Sequence, residues 1–186
     1  MKVYFHLNLK GFSNCYVVVN ENTHEAIIID PGKITDGIIS QIEEQHLKLT
    51  AVLVTHNHGS HVDGIKTLQK IYNVKVYAAD WEVAKNNTNV LMGDGKLYLA
   101  KMPIRYFSMP GHTTDSIVYK IGNLIFTGDV LFAGSMGSTN SSYSEVILRT
   151  GIENNIFSQL DSVILMPGHG PPSTIEASRI FTMDIE

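Results

Sequence analysis

The sequence predicts an α/β protein, and two kinds of observation lead to this prediction. Short β-rich segments alternate with segments whose apolar residues repeat at helical spacing, and such alternation is typical of sheets covered by helices. Motifs rich in histidine and glycine begin where several of the predicted strands end. The sequence therefore indicates a rigid scaffold whose strand ends hold a functional site.

Three short strands are predicted at the beginning of the chain, with turns between them. They are residues 3–9, 15–20 and 26–30, and Pro31 ends the third. Connections this short favour antiparallel pairing. The next segment changes period, because Ile34, Ile38 and Ile42 lie four residues apart. This spacing predicts an amphipathic helix over about residues 35–46.

The rest of the chain repeats this alternation. Residues 51–55 (AVLVT) are continuously apolar or β-branched, which predicts a buried central strand. A helix over about residues 62–72 follows. Further strands are predicted at 74–78, 105–109, 116–121, 124–127 and 162–166, and a further helix at 144–160. No repeat or linker-like composition interrupts the pattern, so we expect one domain over residues 1–186.

Composition restricts the classes of partner. The chain has 186 residues, 44% of them hydrophobic, and a net charge of −4 without any block of like charges. We therefore expect a sizeable core and no nucleic-acid partner. The apolar runs are far shorter than the ~20 residues that span a bilayer, so no membrane partner is expected. One cysteine and an N-terminus without a signal-peptide core favour the cytoplasm.

Five of the eight histidines lie near glycines at the ends of predicted strands. They are His56, His58, His61, His112 and His169. A single histidine so placed is more often a surface or hydrogen-bonded core residue, but five together favour a metal site. His56 and His58 lie two apart on an extended segment and can share one ion. Asp129 ends an apolar strand and is the natural anionic partner, although an isolated Gly-Asp pair is more often a turn.

Four segments resemble the motifs of the metallo-β-lactamase superfamily, in the expected order. THNHGSHVDG is similar to the signature T-H-x-H-x-D-H, and PGHTTDS, FTGDVLFAGS and MPGHGP are similar to the later motifs. More narrowly, GDVLFAGSMGS and PGHGPPSTI resemble short glyoxalase-II-like hydrolases that lack the C-terminal glutathione-binding region of glyoxalase II. Since the chain ends soon after His169, we expect that region to be absent here too.

The resemblance implies a fold, a ligand set and a chemistry. The fold is a four-layer αβ/βα sandwich with the site at one edge of two facing sheets. His56, His58 and His112 would hold a first metal, His61 and His169 a second, and Asp129 would bridge the two as the catalytic carboxylate. A hydroxide held by zinc would attack the carbonyl of a small ester-like substrate, preferably a thioester, because the metal lowers the pKa of water toward ~7.

Position 60 departs from the family pattern, which has an aspartate ligand of the second metal where this chain has Ser60. A hydroxyl binds divalent cations less well than a carboxylate, so we expect one tight zinc site and a second site that is weak or empty. Asp63 and Asp115 are nearby carboxylates that could compensate. We interpret Asp63 as the N3 residue of a capping box that begins at Ser60. Asp115 could equally orient a ligand such as His112 or occupy a turn.

Three functions are compatible with these residues. A metal-dependent hydrolase is the leading interpretation. His56, His112 and Asp129 also form a 2-His-1-carboxylate set, so a mononuclear iron enzyme similar to persulfide dioxygenases is an alternative. A degenerate scaffold that binds metal with little activity is the third. Ser138 and Asn140 stand where related hydrolases commonly have arginine and aspartate, so the resemblance does not fix the substrate.

Overall fold

The computed structural model describes residues 1–9 and 11–183 of the chain, and most of its strands lie in two six-stranded sheets. The strands of the first sheet are β1 Lys2–Asn8, β2 Ser13–Asn20, β3 Glu25–Ile29, β4 Lys48–Leu53, β5 Lys75–Ala78 and β6 Thr88–Val90. They lie side by side in chain order. The antiparallel pairing predicted for β1, β2 and β3 is confirmed, and the pairs from β3 to β6 are parallel.

Helices connect the parallel strands of the first sheet. They are α1 Asp36–Glu44, α2 Gly59–Val62 and α3 Ile65–Ile71. Helix α1 begins after Thr35, whose side-chain oxygen accepts a hydrogen bond from the backbone N–H of Ile38 and caps the first turn. The buried side chains of α1 and α3 pack against the outer face of the sheet.

The second sheet is built from the second half of the chain. Its strands are β7 Gly95–Leu99, β8 Met102–Ser108, β9 Ile117–Ile121, β10 Leu124–Gly128, β13 Ile164–Pro167 and β14 Ser173–Thr174. Between β10 and β13 the chain forms a two-stranded ribbon, β11 Leu131–Phe132 and β12 Ser135–Met136, and then helix α4, Ser142–Ile152. The spatial order is β14-β13-β10-β9-β8-β7, with β10 and β13 parallel. Helix α5, Ile175–Met183, follows β14.

The layers pack as helix, sheet, sheet, helix. Strand β2 shows the principle, because successive side chains on a strand point to opposite faces. Val17 packs toward the helices of the first half, whereas Tyr16 and Val18 belong to the core between the sheets, which Tyr119 and Phe126 complete. Helix α4 covers the outer face of the second sheet. The predicted four-layer αβ/βα sandwich is confirmed.

Several elements differ from the sequence prediction. The helix predicted over 144–160 is α-helical only to Ile152, and residues 153–157 form a π-helical turn. Strands β6 and β7, the β11–β12 ribbon, β14 and α5 were not predicted. Most of these are two or three residues long, too short for a hydrophobic period to register. Among the described residues, no helix has the length and apolar character needed to cross a bilayer.

Candidate metal centre

The loops that follow four strands meet at one edge of the sandwich. His56, His58 and His61 follow β4, His112 follows β8, Asp129 follows β10 and His169 follows β13. Three of these strands, β4, β10 and β13, take part in parallel pairs, and the carboxyl ends of parallel strands are the usual place for ligand sites in α/β proteins. The structure thus brings all six candidate ligands together.

Four of these side chains form a first group. Nδ1 of His58 lies 2.8 Å from Nε2 of His56 and 3.4 Å from Nε2 of His112. Oδ2 of Asp129 lies 3.7 Å from Nε2 of both His56 and His112. Ligand atoms about 2.0–2.1 Å from a tetrahedral zinc lie about 3.3 Å from one another. The observed separations bracket this value, so the four residues fit one cation.

A second group shares the same carboxylate. Nε2 of His61 lies 3.4 Å from Oδ1 of Asp129, and Nε2 of His169 lies 3.5 Å from its Oδ2. Within the part of the chain that the structure describes, neither His61 Nε2 nor Asp129 Oδ1 has a hydrogen-bond partner, although both are buried. Buried polar atoms without partners are costly. A cation between them would satisfy both, so this group also fits a metal.

Asp30 orients the two buried histidines from below. Thr55 Oγ1 donates a hydrogen bond to Asp30 Oδ2 at 2.7 Å. Because its single proton is used there, Thr55 Oγ1 accepts a hydrogen bond from His56 Nδ1 at 3.1 Å. Asp30 Oδ2 also lies 3.2 Å from His61 Nδ1. The contact with Thr55 places the proton of His56 on Nδ1 and leaves its Nε2 free to bind a cation, and Asp30 faces the Nδ1 edge of His61.

Backbone carbonyls orient two further imidazoles. His112 Nδ1 donates to the carbonyl oxygen of Ser138 at 2.8 Å, and His169 Nδ1 donates to that of Phe12 at 2.9 Å. Each bond places the ring proton on Nδ1 and leaves Nε2 free to bind a cation.

The charges of the site favour a cation. Burial, and then the proximity of His61, lower the pKa of His56 to about 2, so His56 is in the neutral form that binds metals. Burial by itself would lower the pKa of His61, but the negative charge of Asp30, and then Asp129, raise it above its ordinary value. Burial would likewise raise the pKa of Asp129, yet its contact with His61 lowers it. The carboxylates of Asp30 and Asp129 thus both face His61 and favour positive charge there.

Two glycines allow the backbone to approach the ligands. Gly128 has a left-handed φ of +52°, which favours glycine, and it aims Asp129 into the site. A Cβ atom at Gly168 would lie 2.3 Å from Asp129 Oδ1 and 2.8 Å from His61 Cε1. No side chain fits at that position without displacing a ligand.

The capping-box prediction for Ser60 and Asp63 was wrong. Helix α2 begins at Gly59 with His58 as its N-cap, and Asp63 is its C-cap. The chain turns earlier than predicted because the carbonyl of His58 already accepts the backbone N–H groups of His61 and Val62. Neither Ser60 nor Asp63 belongs to the two groups of ligand atoms.

Asp115 lies beside the first motif and does not belong to either ligand group. Its Oδ2 accepts the backbone N–H of Asn57 at 2.8 Å. Asn57 stands between His56 and His58, so Asp115 holds the segment that presents both imidazoles. Both interpretations left open from the sequence therefore apply: Asp115 lies in a turn, and it orients two candidate ligands through the backbone of the loop after β4.

Sequence reasoning missed three polar residues near the site. Asp30 ends an apolar strand, the same signal that pointed to Asp129, but the following Pro-Gly made it resemble a turn. Ser13 and Asn14 are buried and bind the loops that contain His61 and His169. Their role depends on backbone groups far away in sequence, so no local sequence pattern indicates it.

A family profile described as the metallo-beta-lactamase superfamily matches residues 9–98. The chain resembles this superfamily over just under half of its length. Hydroxyacylglutathione hydrolase of Buchnera aphidicola subsp. Schizaphis graminum (strain Sg) is 37% identical over 123 residues, which cover 66% of this chain and 48% of that relative. The chain therefore spans about half the length of this curated relative. The resemblance to glyoxalase-II-like hydrolases stated from the sequence is confirmed.

Solved structures show the same fold. The metallo-beta-lactamase from Staphylococcus aureus subsp. aureus COL superposes with a TM-score of 0.88 at 22% identity, covering 98% of this chain and 62% of that one. TTHA1623, solved in a di-iron-bound form, superposes with a TM-score of 0.81 at 20% identity, covering 96% and 98%. At these identities the superpositions establish the architecture.

Proposed function

We propose that this protein is a metal-dependent hydrolase of small ester-like substrates, with thioesters first among them. One observation carries the proposal: a single carboxylate, Asp129, faces both histidine groups, with its oxygens 3.4 to 3.7 Å from four imidazole nitrogens. The match to the superfamily profile supports a hydrolase. The relative named hydroxyacylglutathione hydrolase supports a thioester as the substrate, because an acyl group bonded to the sulfur of glutathione forms a thioester.

The candidate ligands differ in exposure, so the buried ones form the floor of the site and the exposed ones form its rim. The side chains of His56 and His61 are 1% and 0% exposed, whereas that of His169 is 31% exposed and His58 is exposed as well. The floor fixes the ligand geometry, and the rim leaves one side open to a substrate. A divalent cation held here supplies a Lewis acid and a water molecule of lowered pKa.

We propose that the two sites differ in strength. The first group offers three imidazoles and a carboxylate, whereas the second offers two imidazoles and a share of the same carboxylate. The geometry of the second group is intact, but Ser60 leaves it without a carboxylate of its own. Fewer anionic ligands mean weaker binding of a divalent cation. We therefore propose one tight ion and one weakly held ion.

Zinc suits the first group because neutral imidazole is its most frequent nitrogen ligand in catalytic sites. Iron is the alternative, since a protein of the same fold was solved with two irons. The second candidate function follows from iron: the separations of 3.7 Å from Asp129 to His56 and to His112 also fit a 2-His-1-carboxylate site for a mononuclear iron enzyme. A persulfide would then be the substrate class.

The test begins with elemental analysis of protein purified without added metal. The chain is then stripped with a chelator and reloaded with zinc or iron(II), and each form is given a simple acyl thioester and, separately, a persulfide with dissolved oxygen. Thiol release that zinc restores, without oxygen uptake, supports the hydrolase. Oxygen uptake that only iron(II) restores supports the second function. Bound metal without either turnover would contradict both and indicate a binding scaffold.

A further inference from the structure

Both ligand groups are assembled from the two halves of the sandwich. In each group, one or two histidines come from the loop after β4 in the first sheet, and the other ligands follow strands of the second sheet. Neither sheet alone presents a complete group. The separation of the ligand atoms therefore depends on how the two sheets are fixed relative to each other at this edge.

One polar side chain fixes the sheets beside the first group. Asp115, in the second half of the sandwich, accepts the backbone N–H of Asn57, in the first half, at its Oδ2 atom over 2.8 Å. Asn57 lies between two ligands of the first group, and its side-chain amide donates to Asp80 Oδ2 at 2.8 Å. We name the Asp115–Asn57 contact the first strut. Removing it takes away one anchor of the backbone that presents His56 and His58, whereas the bond from the backbone N–H of Ile117 to the carbonyl oxygen of Thr55 remains.

A different pair of side chains fixes the loops beside the second group, and one of the two, Asn14, reaches across from the first half to the second. Ser13 Oγ donates to the carbonyl oxygen of Ser60 at 2.6 Å, next to His61. Asn14 Nδ2 donates to the carbonyl oxygens of Pro167 and Gly170 at 2.9 and 2.8 Å, on both sides of His169. Ser13 and Asn14 are 0% and 1% exposed. We name these contacts the second strut, because adjacent residues of β2 hold the two histidines of the second group from either side.

We propose that Asp115 is a positioning residue for the first metal site, and that Ser13 and Asn14 are positioning residues for the second, each strut acting on its own site. The inference rests on the proposed metal ligands. The struts share no residue, and each touches the backbone next to ligands of one group only. Partners that orient metal ligands from outside change affinity by roughly 10- to 100-fold when they are removed.

The experiment measures stepwise Zn²⁺ binding to the metal-stripped chain by competitive titration with a chromophoric chelator, which yields one affinity per step. Asn14→Ala and, as a milder change, Ser13→Ala should weaken the second site by roughly 10-fold or more and change the first less than about 3-fold. Asp115→Ala should do the reverse. His56→Asn and His61→Asn, which each remove a ligand from one group, assign the steps.

Two control variants separate positioning from general damage. Asn20→Ala removes the same type of bond from the other end of β2, where Asn20 Nδ2 donates to the carbonyl oxygen of Ala100 at 3.0 Å. It should leave both affinities unchanged. Asp115→Asn retains an oxygen that can accept the Asn57 N–H, so it should restore most of the affinity that Asp115→Ala loses. Thermal unfolding of the metal-free variants records any loss of stability.

The outcomes are distinct. Equal weakening of both sites by either strut, or an effect of Asn20→Ala equal to that of Asn14→Ala, would overturn the inference while leaving the proposed function intact. If the wild type binds one ion only, the inference requires that Asp115→Ala weakens that ion and Asn14→Ala does not. A wild type that binds no metal would contradict the proposed function, and the inference with it.

Discussion

The two ligand groups share one carboxylate and one architecture, yet they are not equivalent. Each group has a fully buried histidine as its floor and a more exposed histidine at its rim. The buried ring of the first group contacts Thr55, and that of the second group contacts Asp30. They differ in the number of ligands, four against three. The ligand atoms of the second group lie close together although position 60 is a serine. We therefore attribute the proposed difference in affinity between the two sites to their charge.

The largest expected effect comes from the residue common to both groups. Asp129→Ala removes the carboxylate that faces four imidazoles, so both metals and the hydrolytic activity should be lost. Loss of a direct ligand should exceed the roughly 10- to 100-fold that loss of an outer partner costs. Elemental analysis and thioester turnover are the measurements. Metal content equal to that of the wild type would show that the shared-ligand assignment is wrong.

A smaller and selective effect should separate the groups. His56→Asn should abolish the tighter binding step, whereas His61→Asn should abolish the weaker step and leave the tighter one nearly unchanged, since each histidine belongs to one group. The measurement is Zn²⁺ titration of the two variants. His24→Asn is the control, because His24 is exposed and lies outside both groups. Identical titration curves for His56→Asn and His61→Asn would mean that the groups act as one site.

The smallest change should come from restoring charge to the weaker group. Ser60→Asp should raise affinity for the second ion, because it supplies the carboxylate that this group lacks. The thermal midpoint should move little, since Ser60 is only partly buried and an acidic residue in the first turn of a helix is tolerated. Thioester turnover should rise with second-site occupancy if hydrolysis uses two ions. Two equally tight steps in the wild type would remove the reason for the variant.

Much of the site could be predicted from sequence because its ligands carry a local signal. Each of the histidines lies near a glycine after an apolar strand, and Asp129 ends such a strand. Asp30 obeys the same rule and could have been found. Ser13 and Asn14 could not, because their partners are backbone carbonyls far away in sequence, and those of Asn14 lie in the other half of the sandwich.

The same distinction applies to the fold. Strands β2, β3 and β4 were predictable because they are buried on both faces and therefore continuously apolar. Strand β7 has a recognisable alternation of exposed and half-buried residues, but it directly follows a Gly/Asn-rich stretch that resembles a loop. The capping-box pattern failed because Ser-x-x-Asp is a local signal, whereas the start of α2 is set by the turn at His58 and Gly59.

The division of the ligands between the two sheets links metal binding to folding. An ion can be fully coordinated only after the sheets have docked, so binding free energy is added to the stability of the docked state alone. Removal of metal should therefore loosen this edge of the sandwich first, while the apolar core between the sheets, around Tyr119 and Phe126, keeps the two halves together. Amide hydrogen exchange would register that difference as faster exchange confined to the loops after β4, β8, β10 and β13.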